Sequence, residues 1–272
     1  MHQTISDLTT IEYDDLGSGD PTLLLLPSWC ANRKGWDGLL EPLSEEHRVL
    51  ALDWRGHGTS GPAAGDFGEA DLVRDALAVM EESGGRRFVP VALAQAGWVA
   101  IDLRRRLRTA VPAAVFIDWI VSPAPASYLD MLERMRLRHE WRATVDETLD
   151  QWAAGVDDPE LLSFLNEMGA MPADMWDRAA REVEGSYALH SSPLAALAAL
   201  EPPMPALHLY AQPDDQDYLE YQERFAAEHD WYKVQRLPAR SHFPMFEVPE
   251  LMGASINEFV RGLTARKILR AA

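Results

Sequence analysis

One cysteine, Cys30, stands among 272 residues, so no internal disulfide can form. That usage fits a reducing cytoplasm. Long apolar runs are also missing. Apolar runs such as Leu23 to Pro27 are far too short to cross a bilayer. Residues Met1 to Asp7 lack the basic-then-apolar pattern of a secretory signal. Positive charge is scarce: 25 Lys and Arg face 43 Asp and Glu, a net charge of −18. This balance argues against nucleic acid as a partner and favours a neutral or poorly charged substrate. The eight histidines show no H-x-H, HExxH or paired His/carboxylate spacing, and no G-x-G-x-x-G or P-loop occurs, so neither a metal nor a nucleotide cofactor is expected.

What is present alternates. Thr9 to Tyr13 reads as an edge strand, and Leu23 to Pro27 and Arg48 to Asp53 as buried strands. Ala70 to Ser83 is helical, the strand ending at Leu93 and a helix from about Gly97 to Leu107 follow, and Val111 to Trp119 is again an apolar strand. Strands separated by helices of this length predict an α/β fold, a mostly parallel sheet flanked by helices. From residue 122 to 203 strand signals vanish and helices rich in Trp, Met and Ala take over, at Tyr128 to Arg138, Val145 to Ala154, Pro159 to Met168 and Ala173 to Val183. We read 1–121 and 204–272 as the core and 122–203 as an inserted helical cap. Pro202-Pro203-Met204-Pro205 is the return linker. Ala206 to Tyr210, Tyr218 to His229, Tyr232 to Leu237 and Pro249 to Leu263 complete the core as strand, helix, strand and helix. The basic tail Arg261 to Arg270 reads as a solvated helix end.

The strand ending at Leu93 runs into Ala94-Gln95-Ala96-Gly97, a strand–turn–helix junction. In α/β-hydrolases such a junction is G-x-S-x-G, with the nucleophilic serine at its tip. Here Ala92, Ala94 and Ala96 occupy the frame and no hydroxyl is present, so acyl transfer is not expected. Asp53-Trp54-Arg55-Gly56-His57-Gly58-Thr59-Ser60 matches the D-x-R-G-x-G-x-S loop of the same fold, where its role is structural, and His57 is read as structural with it. The turn Pro27-Ser28-Trp29-Cys30 is either an ordinary strand exit or a donor of backbone N–H groups to an oxyanion, with Trp29 and Gln95 as the two donors. Ser241-His242-Phe243-Pro244 sits after the last strand, where this fold keeps its catalytic histidine. Two acids compete to orient His242. Asp118 ends an apolar strand, and a buried carboxylate needs a partner such as an imidazole. Asp214 and Asp215 occupy the position most hydrolases use, in a polar loop that reads as solvated turn. Trp141, Trp152 and Trp176, with Met168, Met171 and Met175, either line a pocket or simply fill the cap's core. Four other histidines, His139, His190, His208 and His229, read as structural or exposed.

With these residues in view, the chain resembles the cofactor-independent 3-hydroxy-4-oxoquinoline and 3-hydroxy-4-oxoquinaldine 2,4-dioxygenases of the α/β-hydrolase fold. The resemblance rests on Leu-Leu-Leu-Pro-x-Trp-Cys (24–30), Trp-Arg-Gly-His-Gly (54–58), Ala-Gly-Trp-Val (96–99), Ile-Asp-Trp (117–119) and Ser-His-Phe-Pro followed by Val-Pro (241–249), within a match from about residue 20 to 260. It implies a His242/Asp118 dyad and a cap tryptophan, Trp152, close to the substrate. The family's turn serine corresponds to Ala94, and the histidine after its Trp-Cys pair to Ala31. Both departures replace a polar group by a methyl, which enlarges the site and suits a longer 2-alkyl group. With Trp119 and Phe243 these residues make the expected pocket. The chain is thus most similar to the 2-alkyl-3-hydroxy-4(1H)-quinolone dioxygenases that destroy the Pseudomonas quinolone signal. The implied reaction needs O2 but no cofactor, and gives an N-acylanthranilate and carbon monoxide. Two other readings stay open, a hydrolase disabled at Ala94 and a non-catalytic ligand-binding member of the fold. A monomer or weak homo-oligomer is expected, with no membrane partner.

Overall fold

The computed structural model describes residues 1–271, with side chains through residue 263. Eight strands form one sheet in the order β1-β2-β4-β3-β5-β6-β7-β8: β1 His2–Ser6, β2 Thr9–Leu16, β3 Thr22–Leu26, β4 Val49–Leu52, β5 Phe88–Leu93, β6 Ala114–Ile117, β7 Ala206–Tyr210 and β8 Tyr232–Arg236. Pairing is antiparallel from β1 to β2 and from β2 to β4, and parallel throughout the rest. The central strands β3 to β7 are buried at every position, as expected of strands covered by helices on both faces.

The helices are α1 Asp37–Ser44, α2 Glu69–Ser83, α3 Ala96–Leu107, α4 Ala126–Arg136, α5 Trp141–Ala153, α6 Pro159–Gly169, α7 Ala173–His190, α8 Pro193–Ala198, α9 Gln216–Glu228 and α10 Pro249–Ala271. Five of them, α4 to α8, lie between β6 and β7. The edge strand is β1 rather than Thr9 to Tyr13; β1 is short and mostly exposed, so it carries little apolar alternation. The strand expected from Val111 is only Ala114–Ile117, because the Val111 amide still closes the 3-10 turn on the Arg108 carbonyl at 3.1 Å and Pro112 has no N–H to pair. The charge of the basic tail beyond residue 263 lies outside the described side chains. No helix among the described residues is long and apolar enough to cross a membrane.

Two histidines are sealed in the core. His57 donates Nδ1–H to the Arg55 carbonyl at 2.9 Å and accepts the Cys30 amide on Nε2 at 3.0 Å. His208 donates to Gln222 Oε1 at 2.6 Å and accepts the Trp119 amide at 3.2 Å. In each ring the accepting nitrogen must be unprotonated, and burial pushes both down to about 4. Unfolded, they titrate at about 6.5. Between these values the unfolded chain binds more protons, so stability is full above about pH 6.5 and is lost as pH falls toward 4, by about 3 kcal/mol per histidine. Glu69, pushed up to about 7 by burial, acts in the opposite sense. Urea unfolding at pH 7 and pH 4.5 should therefore show a marked loss at the lower pH, and His208→Asn should flatten it. An equally steep acid limb in that variant would contradict this assignment.

Candidate active site

At the end of β5 the chain turns sharply at Ala94, whose φ is +46° although it is not glycine. Such backbone costs about 1–3 kcal/mol and persists only where its surroundings enforce it. Here the Ala94 amide donates to the Ile117 carbonyl of β6 at 2.8 Å, and α3 begins two residues later. Helix α3 approaches Trp119 so closely at Gly97 that a Cβ there would lie 2.3 Å from the indole. The turn thus keeps the geometry of a nucleophile elbow while presenting a methyl group.

Strand β6 ends in a second left-handed residue, Asp118, with φ +48°. Its amide donates to the Leu209 carbonyl at 2.9 Å, and its carboxylate is 1% exposed. Oδ2 accepts the Ala211 amide at 2.7 Å, the Gln212 amide reaches both oxygens at 3.3 Å, and Oδ1 accepts Nδ1 of His242 at 2.9 Å. Burial pushes the Asp118 carboxyl up from its ordinary range; the imidazole and the two amides pull it back. Trp119 is fixed in turn by the Tyr218 hydroxyl, which donates to its carbonyl at 2.6 Å, and by His208.

His242 follows β8 on a loop clipped by Glu247, which accepts from the Ser241 hydroxyl at 2.6 Å and the Ser241 amide at 2.8 Å. Its own amide donates to the Trp152 carbonyl of α5 at 2.8 Å, and its ring stacks on the Trp152 indole at 4.8 Å. The ring is thus held by core and cap together. With Nδ1–H given to Asp118, the free lone pair lies on Nε2, which is buried without a partner among the described residues. His242 lines a cavity of about 620 Å³ together with Ala94, Gln95, Asp118, Trp119 and Trp152.

The amides of Trp29 and Gln95 donate to no acceptor among the described residues. The Trp29 indole lies against Phe67 at 5.6 Å and lines a separate small cavity. Ala31 and Phe243 reach neither cavity. Cys30, at φ +63° with its amide tied to His57, turns Ala31 into the core. Phe243 is fully buried behind His242, edge-on to Phe164 at 5.2 Å and to Trp152 at 5.9 Å. Of the alternative acids, Asp214 pairs with Arg236 on the surface, and Asp215 caps α9 through the Tyr218 amide at 2.6 Å. In the cap Trp176 and Met168 are buried, whereas Trp152 reaches the cavity.

Residues without a sequence signal also shape the site. Gln212 Nε2 donates to the carbonyls of Arg240 at 2.8 Å and Gln151 at 3.3 Å, joining the histidine loop to α5. Tyr128 of α4 accepts from Gln95 Nε2 at 3.0 Å. No group of three or more His, Cys, Asp or Glu among the described residues is arranged to hold a metal ion.

Residues 23–253 match the model of the alpha/beta hydrolase family. The chain is 35% identical to 1H-3-hydroxy-4-oxoquinoline 2,4-dioxygenase of Pseudomonas putida over 258 residues, 93% of this chain and 97% of that one. It is 30% identical to 2-heptyl-3-hydroxy-4(1H)-quinolone dioxygenase of Mycobacteroides abscessus over 255 residues, 93% of this chain and 95% of that one. Among solved structures it is similar to an AqdC variant in complex with its substrate, described in connection with ring cleavage of the Pseudomonas quinolone signal. The TM-score is 0.91 at 28% identity, covering 96% of this chain and 99% of that one. Similarity at this level over nearly the whole length, in a chain whose elbow lacks a nucleophile, has one consistent reading: the chain belongs to the 3-hydroxy-4-quinolone dioxygenases of the α/β-hydrolase family.

Proposed function

We propose that this dioxygenase cleaves 2-alkyl-3-hydroxy-4(1H)-quinolones without a cofactor, using His242 as general base and Asp118 as its positioning partner. The observation that carries this reading is the unpartnered Nε2 of His242, opposite an Nδ1–H committed to Asp118, at a cavity where the elbow offers no hydroxyl. Nε2 removes the 3-hydroxyl proton. The electron-rich anion passes an electron to O2, the radicals combine, and a peroxide forms at C2. Its terminal oxygen closes on C4. Breaking the O–O bond with the C2–C3 and C3–C4 bonds expels C3 with its oxygen as carbon monoxide. Both atoms of O2 remain in the N-acylanthranilate, one in the acyl carbonyl and one in the carboxylate, and the proton leaves His242 to product or water.

The free amides of Trp29 and Gln95 are suited to binding the oxygen anion. Ala94, Trp119 and Trp152 supply the walls around the ring. We describe the chain as a core of 1–121 and 204–272 with a cap of 122–203, acting as a cytoplasmic monomer or weak homo-oligomer.

The test mixes metal-stripped protein with 2-heptyl-3-hydroxy-4(1H)-quinolone in air. One O2 consumed per carbon monoxide and N-octanoylanthranilate formed is expected; no turnover, or turnover only after adding metal, contradicts the proposal. Ala94→Ser should leave oxygen uptake in place and change kcat/KM for 2-heptyl relative to 2-methyl substrate by an amount worth about 1–3 kcal/mol. Strong esterase activity with loss of oxygen uptake in that variant would instead identify Ala94 as a disabled nucleophile.

A further inference from the structure

The second cavity differs in chemistry from the first. It measures about 20 Å³ and is walled by apolar residues of the cap, among them Met135, Trp176, Ala180 and Val183. Gln95, Tyr128, Met131 and Trp152 line both cavities and so form the partition. Two hydrogen bonds brace that partition. The Gln95 carboxamide accepts from the Ser28 hydroxyl at 3.1 Å and donates to the Tyr128 hydroxyl at 3.0 Å. Burial pushes the Tyr128 hydroxyl up to about 12, so it stays protonated and the bridge is uncharged.

The large cavity is lined in part by the charged groups Asp130, Arg134 and Glu147. An alkyl chain laid against them would strip water from charges and gain little. The apolar cavity is the better environment for such a chain. At about 20 Å³, however, it has room for roughly one water-sized group. A heptyl chain enters it only when the partition opens.

We propose that the Gln95–Tyr128 bridge is a length filter for the substituent at C2 of the quinolone. Closed, it confines that substituent to the large cavity. Open, it joins the two cavities and seats an alkyl chain beside Ala180. This inference rests on the proposed function, and Tyr128 is its specificity-determining residue.

The experiment measures kcat/KM for 2-heptyl and 2-methyl 3-hydroxy-4(1H)-quinolones on the wild type, Tyr128→Phe, and Tyr128→Phe combined with Ala180→Leu. Tyr128→Phe should raise the heptyl-to-methyl ratio about tenfold. Filling the small cavity with Ala180→Leu should return it toward the wild-type value. Ala179→Leu is the substitute if circular dichroism shows that Ala180→Leu does not fold. An unchanged or lower ratio in Tyr128→Phe, or a rise that survives filling, would overturn the filter while leaving the proposed function standing. A wild type that turns over neither substrate would overturn that function and this inference with it.

Discussion

His242→Ala is expected to lower kcat for ring cleavage by about 10²–10⁴-fold, the usual contribution of a positioned general base. The imidazole is held by Asp118, by its own backbone amide and by the Trp152 face, so its Nε2 lone pair has a fixed direction. Replacement by alanine removes that lone pair and leaves the elbow and the other cavity-lining residues in place. Substrate affinity should therefore change far less than kcat. No other histidine should matter comparably. His57 has both ring nitrogens committed inside the core, so His57→Ala should act through stability. An equal loss of kcat in a folded His57→Ala protein would move the base to a different residue.

Asp118→Asn should follow closely, with a loss of up to about 10⁴-fold, the scale seen when a buried carboxylate that orients a catalytic imidazole becomes an amide. Two effects combine. The amide no longer stabilises the imidazolium formed on proton abstraction. If its NH₂ faces Nδ1, it also favours the tautomer with the proton on Nε2, which cannot act as base. The neighbouring amides of Ala211 and Gln212 sharpen the effect, because they require an acceptor. Asp214→Asn should be almost silent, since that carboxylate faces solvent beside Arg236. Steady-state oxygen uptake on the two variants decides the matter, and the opposite ranking would restore the acid position of ordinary hydrolases.

The contact between Asp118 and His242 was legible in part, because Asp118 follows a strand that apolar patterning marks clearly. Asp118 interrupts a buried run, and a charge at such a point requires a partner. The absent nucleophile was legible for the same reason, since Ala94 lies at a strand–helix junction whose type the flanking residues fix. Pairings between distant segments were not legible. Nothing near Gln95 announces that its side chain meets Tyr128, 33 residues away, and nothing near His208 ties it to Trp119. Adjacency also misled. Phe243 follows His242 but packs on the far side of the ring, against Phe164. Ala31 follows the Trp-Cys turn, yet the left-handed Cys30 carries it into the core. Short elements escaped as well: the exposed five-residue β1, the eight-residue α1 with its internal Pro42, and the six-residue α8.

The proposed role of His242, oriented by Asp118, is to take the proton from the substrate's 3-hydroxyl before oxygen reacts. Anaerobic mixing isolates that step. 2-Heptyl-3-hydroxy-4(1H)-quinolone, bound without O2 near neutral pH, should show the absorption of its anion on the wild-type protein and of its neutral form on His242→Ala. Admitting air should then bleach the anion on the wild type alone. A neutral substrate on the wild type, or the anion on both proteins, would contradict the assignment of His242 as the base.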